Sequence, residues 1–156
     1  MYLVLKLLHV AAVIAFLGNI TTGLFWHAHA ARTRDPKLLA HTMAGIIHSD
    51  LFFTLPGVIG MIVTGVMAAI FGHYPILHTA WIAWTLVLFT ASGLMFGFRV
   101  APLQRRLRDL AESAVRSGSF DYAQYHAVAI RWEIWGGAAL LTPLAGLVLM
   151  VLKPRF

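Results

Sequence analysis

The chain is 156 residues long; 60% of them are hydrophobic, 12% are charged, and the mean hydropathy is +0.78. A soluble domain typically carries about 25% charged residues, so too few polar groups are present to cover a surface facing water. The formal charge of +6 is spread between apolar segments instead of forming one patch with interleaved aromatics, which argues against a nucleic-acid partner, and the absence of cysteine excludes disulfides, thiolate catalysis and iron–sulfur ligation.

A transmembrane helix needs about 20 mainly apolar residues. The first segment that qualifies covers about 2–26. Ala28-His29-Ala30 mimics a signal-cleavage site, but the apolar stretch before it exceeds the roughly 7–15 residues of a signal core, so a retained helix is expected. A polar connector, Arg32 to Lys37, leads to a second helix over about 46–71, closed by Gly72-His73-Tyr74-Pro75. A third covers about 78–100. Beyond it Leu103, Leu107, Leu110 and Ala114 recur at helical spacing with Arg105, Arg106, Arg108 and Glu112 on the other sides, which predicts an amphipathic juxtamembrane helix over about 103–116. Ser117-Gly118-Ser119 breaks it, Asp121 is a plausible N-cap, and a fourth span covers about 127–152, ending at Lys153-Pro154. Pro56 and Pro143 are expected to bend the second and fourth helices. Gly93 and Gly97, and the stripe Gly60, Thr64 and Ala68, have the small-residue spacing that lets helices approach closely in lipid.

The expected fold is therefore all-α: an integral membrane four-helix bundle, one domain over 1–156, with a cytoplasmic amphipathic connector helix between the third and fourth helices. Its partner is the lipid bilayer. Nine Lys and Arg residues lie on the side of the two basic connectors against three, Lys6, Lys153 and Arg155, on the other. This bias predicts both termini outside the cytoplasm.

Eight histidines punctuate the chain, and most fall at helix ends or turns. His9 lies inside the first helix and needs a partner in the bundle; by depth Met61, Thr64, Met67 and Thr85 face it. His27 follows five helical turns later on the same face, about 27 Å away, so the two cannot share one metal ion. His27, His48, Asp50, Arg99, Arg131 and Glu133 are expected to meet at one end of the bundle. That end reads either as an anchoring ion-pair network or as a cofactor or proton site, with His27 and His48 as an axial pair for haem iron and Arg99 and Arg131 suited to its propionates. Copper through His and Met is an alternative metal, without a closely spaced Met run to support it.

Leu5-Lys6-Leu7-Leu8-His9, Gly18 and Leu24-Phe25-Trp26-His27 resemble the first helix of the HemJ-type bacterial membrane protoporphyrinogen oxidases. Arg131-Trp132-Glu133 and Val151-Leu152-Lys153-Pro154 are similar to that family's last helix and tail, and Trp81 and Arg105-Arg106 to its third helix and loop. The chain also resembles uncharacterised four-helix bacterial membrane proteins and CopD-like domains. The resemblance implies a bacterial inner-membrane protein holding haem b, with His9 on the iron. The family's third-helix Lys ligand has no counterpart, since the stretch reads Trp81-Ile82-Ala83-Trp84-Thr85-Leu86, which implies a divergent paralogue. The function expected is electron transfer or oxidation of a lipophilic substrate such as a porphyrinogen or quinol. The alternative is a cofactor-free structural subunit of a larger membrane complex, respiratory or otherwise, or a homo-oligomer.

Overall fold

In the structure, a computed structural model, residues 1–154 are described; Arg155, counted above among the basic residues of the terminal side, lies outside the described residues. Four long helical runs follow one another: α1 (Tyr2–Ala31), α2 (Pro36–Ser49) continuing into α3 (Leu55–Phe71), α4 (Ala80–Met95) continuing into α5 (Ala101–Ser117), and α6 (Tyr122–Leu152). All four are long and apolar enough to cross a membrane. The second run starts at Pro36, ten residues before the span expected from hydropathy. Asp35 accepts a hydrogen bond from the Lys37 N–H at 2.9 Å, and Pro36 opens the helix where a missing N–H costs nothing.

Each of the two middle runs contains one widened π turn, Asp50–Thr54 and Phe96–Val100. A proline lies two positions beyond the end of each, Pro56 and Pro102. A proline ring cannot donate to the preceding turn and crowds its carbonyls, and an extra residue in that turn relieves the crowding without ending the helix. Pro56 was expected to bend its helix; what accompanies it is this π turn. Pro143 sits inside α6, which runs on past it. The carbonyl four residues earlier, on Ala139, loses its ladder partner, and the Ser92 hydroxyl of α4 donates to it at 2.6 Å. Ser92 therefore makes good a bond that proline removes, inside an apolar environment where an unpaired carbonyl is expensive. Ser92→Ala is expected to cost about 1–3 kcal/mol. An unchanged denaturation midpoint in detergent would show that another group satisfies Ala139.

Between the two ends the bundle is built from two helix pairs. α1 packs along α3 and α4 along α6, whereas among the described residues no Cα of α3 lies within 8 Å of one in α4. Phe16 of α1 and Phe89 of α4 bridge the gap, edge to face at 5.9 Å. Close backbone approach between α1 and α3 uses Gly57 and Gly60, where a methyl group would lie 3.2 Å from Phe16 Cβ and 3.3 Å from Ala12 Cβ, so the expected stripe serves at Gly60, while Gly93 and Gly97 face open space.

The connectors 32–35 and 118–121 define one end of the molecule, and its packing is unlike the rest. There α2 lies along α5, flanked by the end of α1 and the start of α6. Leu39 and Met43 of α2 and Leu107 and Ala111 of α5 are fully buried in one cluster with Ala30, Tyr125, Ala129 and Trp132. The apolar face of α5 is thus covered by a partner helix, with Gln104, Leu107, Ala111 and Ala114 innermost and Leu103 and Leu110 at its margin. It prolongs α4 without a break. Trp81 and Phe98, which bound the apolar stretch of α4, are separated by about 26 Å of helix rise, close to the roughly 30 Å of a bilayer core. Tyr74 and Trp81 at the turn end take the Lys153 ammonium over their rings at 5.6 and 5.3 Å, and Trp26, Phe52, Phe98 and Trp135 are exposed toward the connector end. Aromatic side chains thus gather at both ends of the apolar stretch, the distribution expected at the two faces of a membrane, and the α2–α5 pair lies on the connector side of the second group.

Candidate functional site

Two polar clusters occupy the interior near the connector end. The first is centred on His27, which is fully buried. Its Nδ1 lies 3.1 Å from Glu133 Oε1 and its Nε2 3.1 Å from the Tyr125 hydroxyl. With Glu133 ionised, Nδ1–H donates to the carboxylate and Nε2 accepts from Tyr125. Trp132 closes on the ring edge to face, 4.8 Å between centroids. Glu133 reaches outward, 44% exposed, into an open cleft of about 220 Å³ lined by Arg32, Tyr122, Tyr125 and His126. Helical periodicity explains the grouping: Tyr125, Ala129 and Trp132 recur at four and three residues on α6 and face α1, and Glu133 flanks that stripe.

The second cluster is centred on Asp50, half-buried in the π turn between α2 and α3. Asn19 Nδ2 donates to Asp50 Oδ1 at 3.1 Å and to Thr54 Oγ1 at 2.9 Å. The Thr54 hydroxyl donates to Asp50 Oδ1 at 2.7 Å, and Gln104 Nε2 donates to Asp50 Oδ2 at 2.9 Å. Three side chains, from α1, the π turn and α5, thereby satisfy both oxygens of the Asp50 carboxylate, and π turns recur at functional sites. These groups form the polar wall of an otherwise apolar cavity of about 100 Å³, which Phe16, Phe89, Gly93 and Trp132 also line. Trp132 therefore stands between the two clusters. Its Nε1 is the one buried side-chain nitrogen or oxygen without a hydrogen-bond partner among the described residues.

Of the six residues expected to meet at this end, His27 and Glu133 do so, and Asp50 gathers a separate cluster. His48 is exposed and stacks on Phe52 of its own helix, 6.1 Å between centroids. Arg99 is exposed with its guanidinium 5.5 Å from the Trp135 ring centre, and Arg131 is exposed. His27 and His48 do not fit haem iron as an axial pair in this arrangement, because both ring nitrogens of His27 are engaged and His48 faces outward.

His9 is half-buried between α1 and α3, with Nδ1–H donating to the Met61 carbonyl at 3.1 Å and the Thr64 hydroxyl 3.4 Å from the same nitrogen. The ring lies on the α3 backbone at Gly65, where an added methyl would come within 2.9 Å of Cε1. Met67 points outward, and Thr85 donates to carbonyls of α4 and α6. A nitrogen bonded to a carbonyl leaves Nε2 with its lone pair, the state in which histidine binds a metal. As a single ligand His9 thus has the right chemistry. The Asp50 cavity does not include it and is smaller than the roughly 300–1,000 Å³ of ordinary ligand pockets. Among the described residues, no three of His, Asp and Glu come together as a metal-binding group.

Asn19, Thr54, Gln104, Tyr125 and Trp132 complete the two clusters; only Trp132 is marked in the sequence, within Arg131-Trp132-Glu133. Asn19 carried a signal, being the lone amide in the apolar run of α1. Gln104 sat unremarked beside the Leu stripe of α5.

Residues 3–154 match a family model described as a predicted integral membrane protein, DUF2269. No curated protein and no solved structure matches.

Proposed function

The chain belongs to the DUF2269 family of predicted integral membrane proteins, and from that premise we propose that it passes protons across the membrane by way of Asp50, with the connector-end surface as the entrance. The observation that carries this reading is Asp50. An ionisable carboxyl held inside a membrane bundle by three polar side chains, on a π turn and beside a cavity, marks an ion or proton path. Glu133 gives the path an entrance, since its carboxylate touches the outer cleft on one side and His27 on the other. His27 carries a proton between Glu133 and the Tyr125 hydroxyl, receiving at one ring nitrogen and releasing at the other. Trp132, whose indole N–H only donates, and the cavity lie between His27 and Asp50, so water entering the cavity would complete the path. The bias of nine basic residues toward the connector end supports a cytoplasmic position for that end.

The test is proton uptake by proteoliposomes under an imposed potassium diffusion potential, read with an internal pH dye. The wild-type chain is expected to acidify or alkalinise the lumen faster than protein-free vesicles, and Asp50→Asn to bring the rate down to theirs. Equal rates for Asp50→Asn and wild type would remove Asp50 from the path.

A second reading is favoured by His9. Its Nδ1–H bond to the Met61 carbonyl presents Nε2 as a free ligand, which suits the haem b that the likeness to HemJ-type oxidases implies. Bound there, haem would supply one-electron chemistry, and His9 would hold it. A reduced-minus-oxidised spectrum of the purified protein, with and without His9→Ala, decides between the readings: a b-type band lost in the variant supports haem, and a colourless protein expressed with ample haem removes it.

A further inference from the structure

We infer that the cleft at the connector end holds the headgroup of a phospholipid that carries a primary ammonium, phosphatidylethanolamine. The inference goes beyond the proton path and shares only Glu133 with it. The cleft, about 220 Å³ and open to the surface, forms where the end of α1 meets the start of α6. At roughly 30 Å³ per water molecule, it takes a group of several heavy atoms and not just one ion. Its depth is that of a lipid headgroup. Ala28 lies two residues past Trp26 on α1, and Glu133 two residues before Trp135 on α6, so the floor begins about 3 Å outside these exposed tryptophans. Arg32, six residues past Trp26, sets the rim about 9 Å outside them. Tyr122 reaches back to that level, where its hydroxyl donates to the Ala31 carbonyl at 3.2 Å. The headgroup layer on each side of a bilayer is about 5–8 Å thick.

The cleft carries charges of both signs, which decides the class of lipid. Glu133 uses Oε1 on His27, and its Oε2 has no protein partner among the described residues. Arg32 is exposed and forms no salt bridge among the described residues. A phosphate takes the Arg32 guanidinium in a charge-assisted pair, and a primary ammonium donates N–H to the free Glu133 oxygen. A glycerol headgroup sets only hydroxyls against Glu133, and a choline headgroup has no N–H to donate. Ethanolamine answers both groups. The walls of the cleft then continue toward the membrane on apolar side chains. Phe25 precedes Ala28 by three residues and Arg32 by seven on one face of α1, and Ile134 follows Ile130 by four on α6. Both are exposed, at 63% and 64%, and give the acyl chains a surface continuous with the polar site.

Native mass spectrometry tests the inference on the purified full chain, delipidated in detergent. The chain is given phosphatidylethanolamine, phosphatidylcholine or phosphatidylglycerol with the same acyl chains. Phosphatidylethanolamine is expected to bind about tenfold more tightly than either, since each of the others leaves Glu133 without its charged donor. Arg32→Ala is expected to weaken phosphatidylethanolamine by about the same factor, and Glu133→Gln to remove its preference over phosphatidylcholine. Arg32 is exposed, so its variant reports even if Glu133→Gln, which disturbs His27, does not fold. Equal binding of the three lipids by the wild-type chain would overturn the inference, as would an affinity for phosphatidylethanolamine unchanged by Arg32→Ala. Free O-phosphoethanolamine separates a membrane source from a soluble one. It is expected not to displace the lipid at equal concentration, and displacement would overturn the assignment to a lipid. Binding is read without transport: loss of the lipid preference leaves the proton path standing, and proton uptake indifferent to Asp50→Asn leaves the lipid site standing.

Discussion

Trp132→Ala is expected to lower the unfolding free energy by about 3–5 kcal/mol, the range for deleting a buried large aromatic side chain. Trp132 is 2% exposed, rests on the His27 ring at 4.8 Å and belongs to the connector-end cluster that joins all the helical runs at that end. Removing it opens both the main core and the wall between the two polar clusters. Trp132→Phe is the informative control. It keeps an aromatic ring in place and deletes the Nε1–H, which has no partner among the described residues. Relief of that unpaired donor offsets part of the lost ring volume, so the cost is expected to stay below about 2 kcal/mol. Denaturation in detergent followed by circular dichroism separates the two. Equal losses for Ala and Phe would mean that the indole nitrogen, not ring packing, is what position 132 requires.

Leu107→Asp is expected to be more severe, above about 4 kcal/mol, because it buries an unpaired charge where no cation faces it in the core cluster. Leu107 is fully buried where α5 meets α2, in one cluster with Leu39 and Met43. The damage has a predictable location. Hydrogen exchange should accelerate through Pro36–Ser49 and Ala101–Ser117, while the apolar spans in the detergent micelle stay protected. If α5 instead lay on the membrane surface with Leu107 in lipid, the amides of α2 would be unaffected. Exchange along α2 is therefore the measurement that separates a bundle standing beyond the membrane from a helix lying on it.

The four spans are readable in the sequence because hydropathy alone decides which segments the bilayer accepts. The polar half of the second run was not. Pro36 to Gly45 carries Lys37, His41 and Thr42 and fails any hydropathy window, yet Leu39, Met43 and Ile46 recur on one helical face. That stripe is the counterpart of Leu107, Ala111 and Ala114, and pairing the two would have foretold the α2–α5 bundle. The π turns were hidden for another reason. A proline announces a disturbance in the turn before it but not which of kink, break or widening occurs; Pro56 and Pro102 widen, while Pro143 is accommodated by Ser92.

Counting helical rise placed His27, His48, Asp50, Arg99, Arg131 and Glu133 at a common depth, but depth does not fix direction around the helix. His48, Arg99 and Arg131 turn outward; His27 and Glu133 turn toward each other across 106 residues of sequence. Asp50 sits in the first π turn and Gln104 just past the second, and each widened turn rotates the residues after it relative to a regular helix. No local pattern in the sequence announces that rotation.

On the proposed proton path Asp50 gains and loses a proton inside the bundle. Infrared difference spectroscopy of the reconstituted protein, stepped between high and low pH, tests it most directly through the C=O stretch of a protonated carboxyl group. A carboxyl band is expected in the wild-type chain that persists in Glu133→Gln and disappears in Asp50→Asn. A difference spectrum unchanged by Asp50→Asn would contradict it.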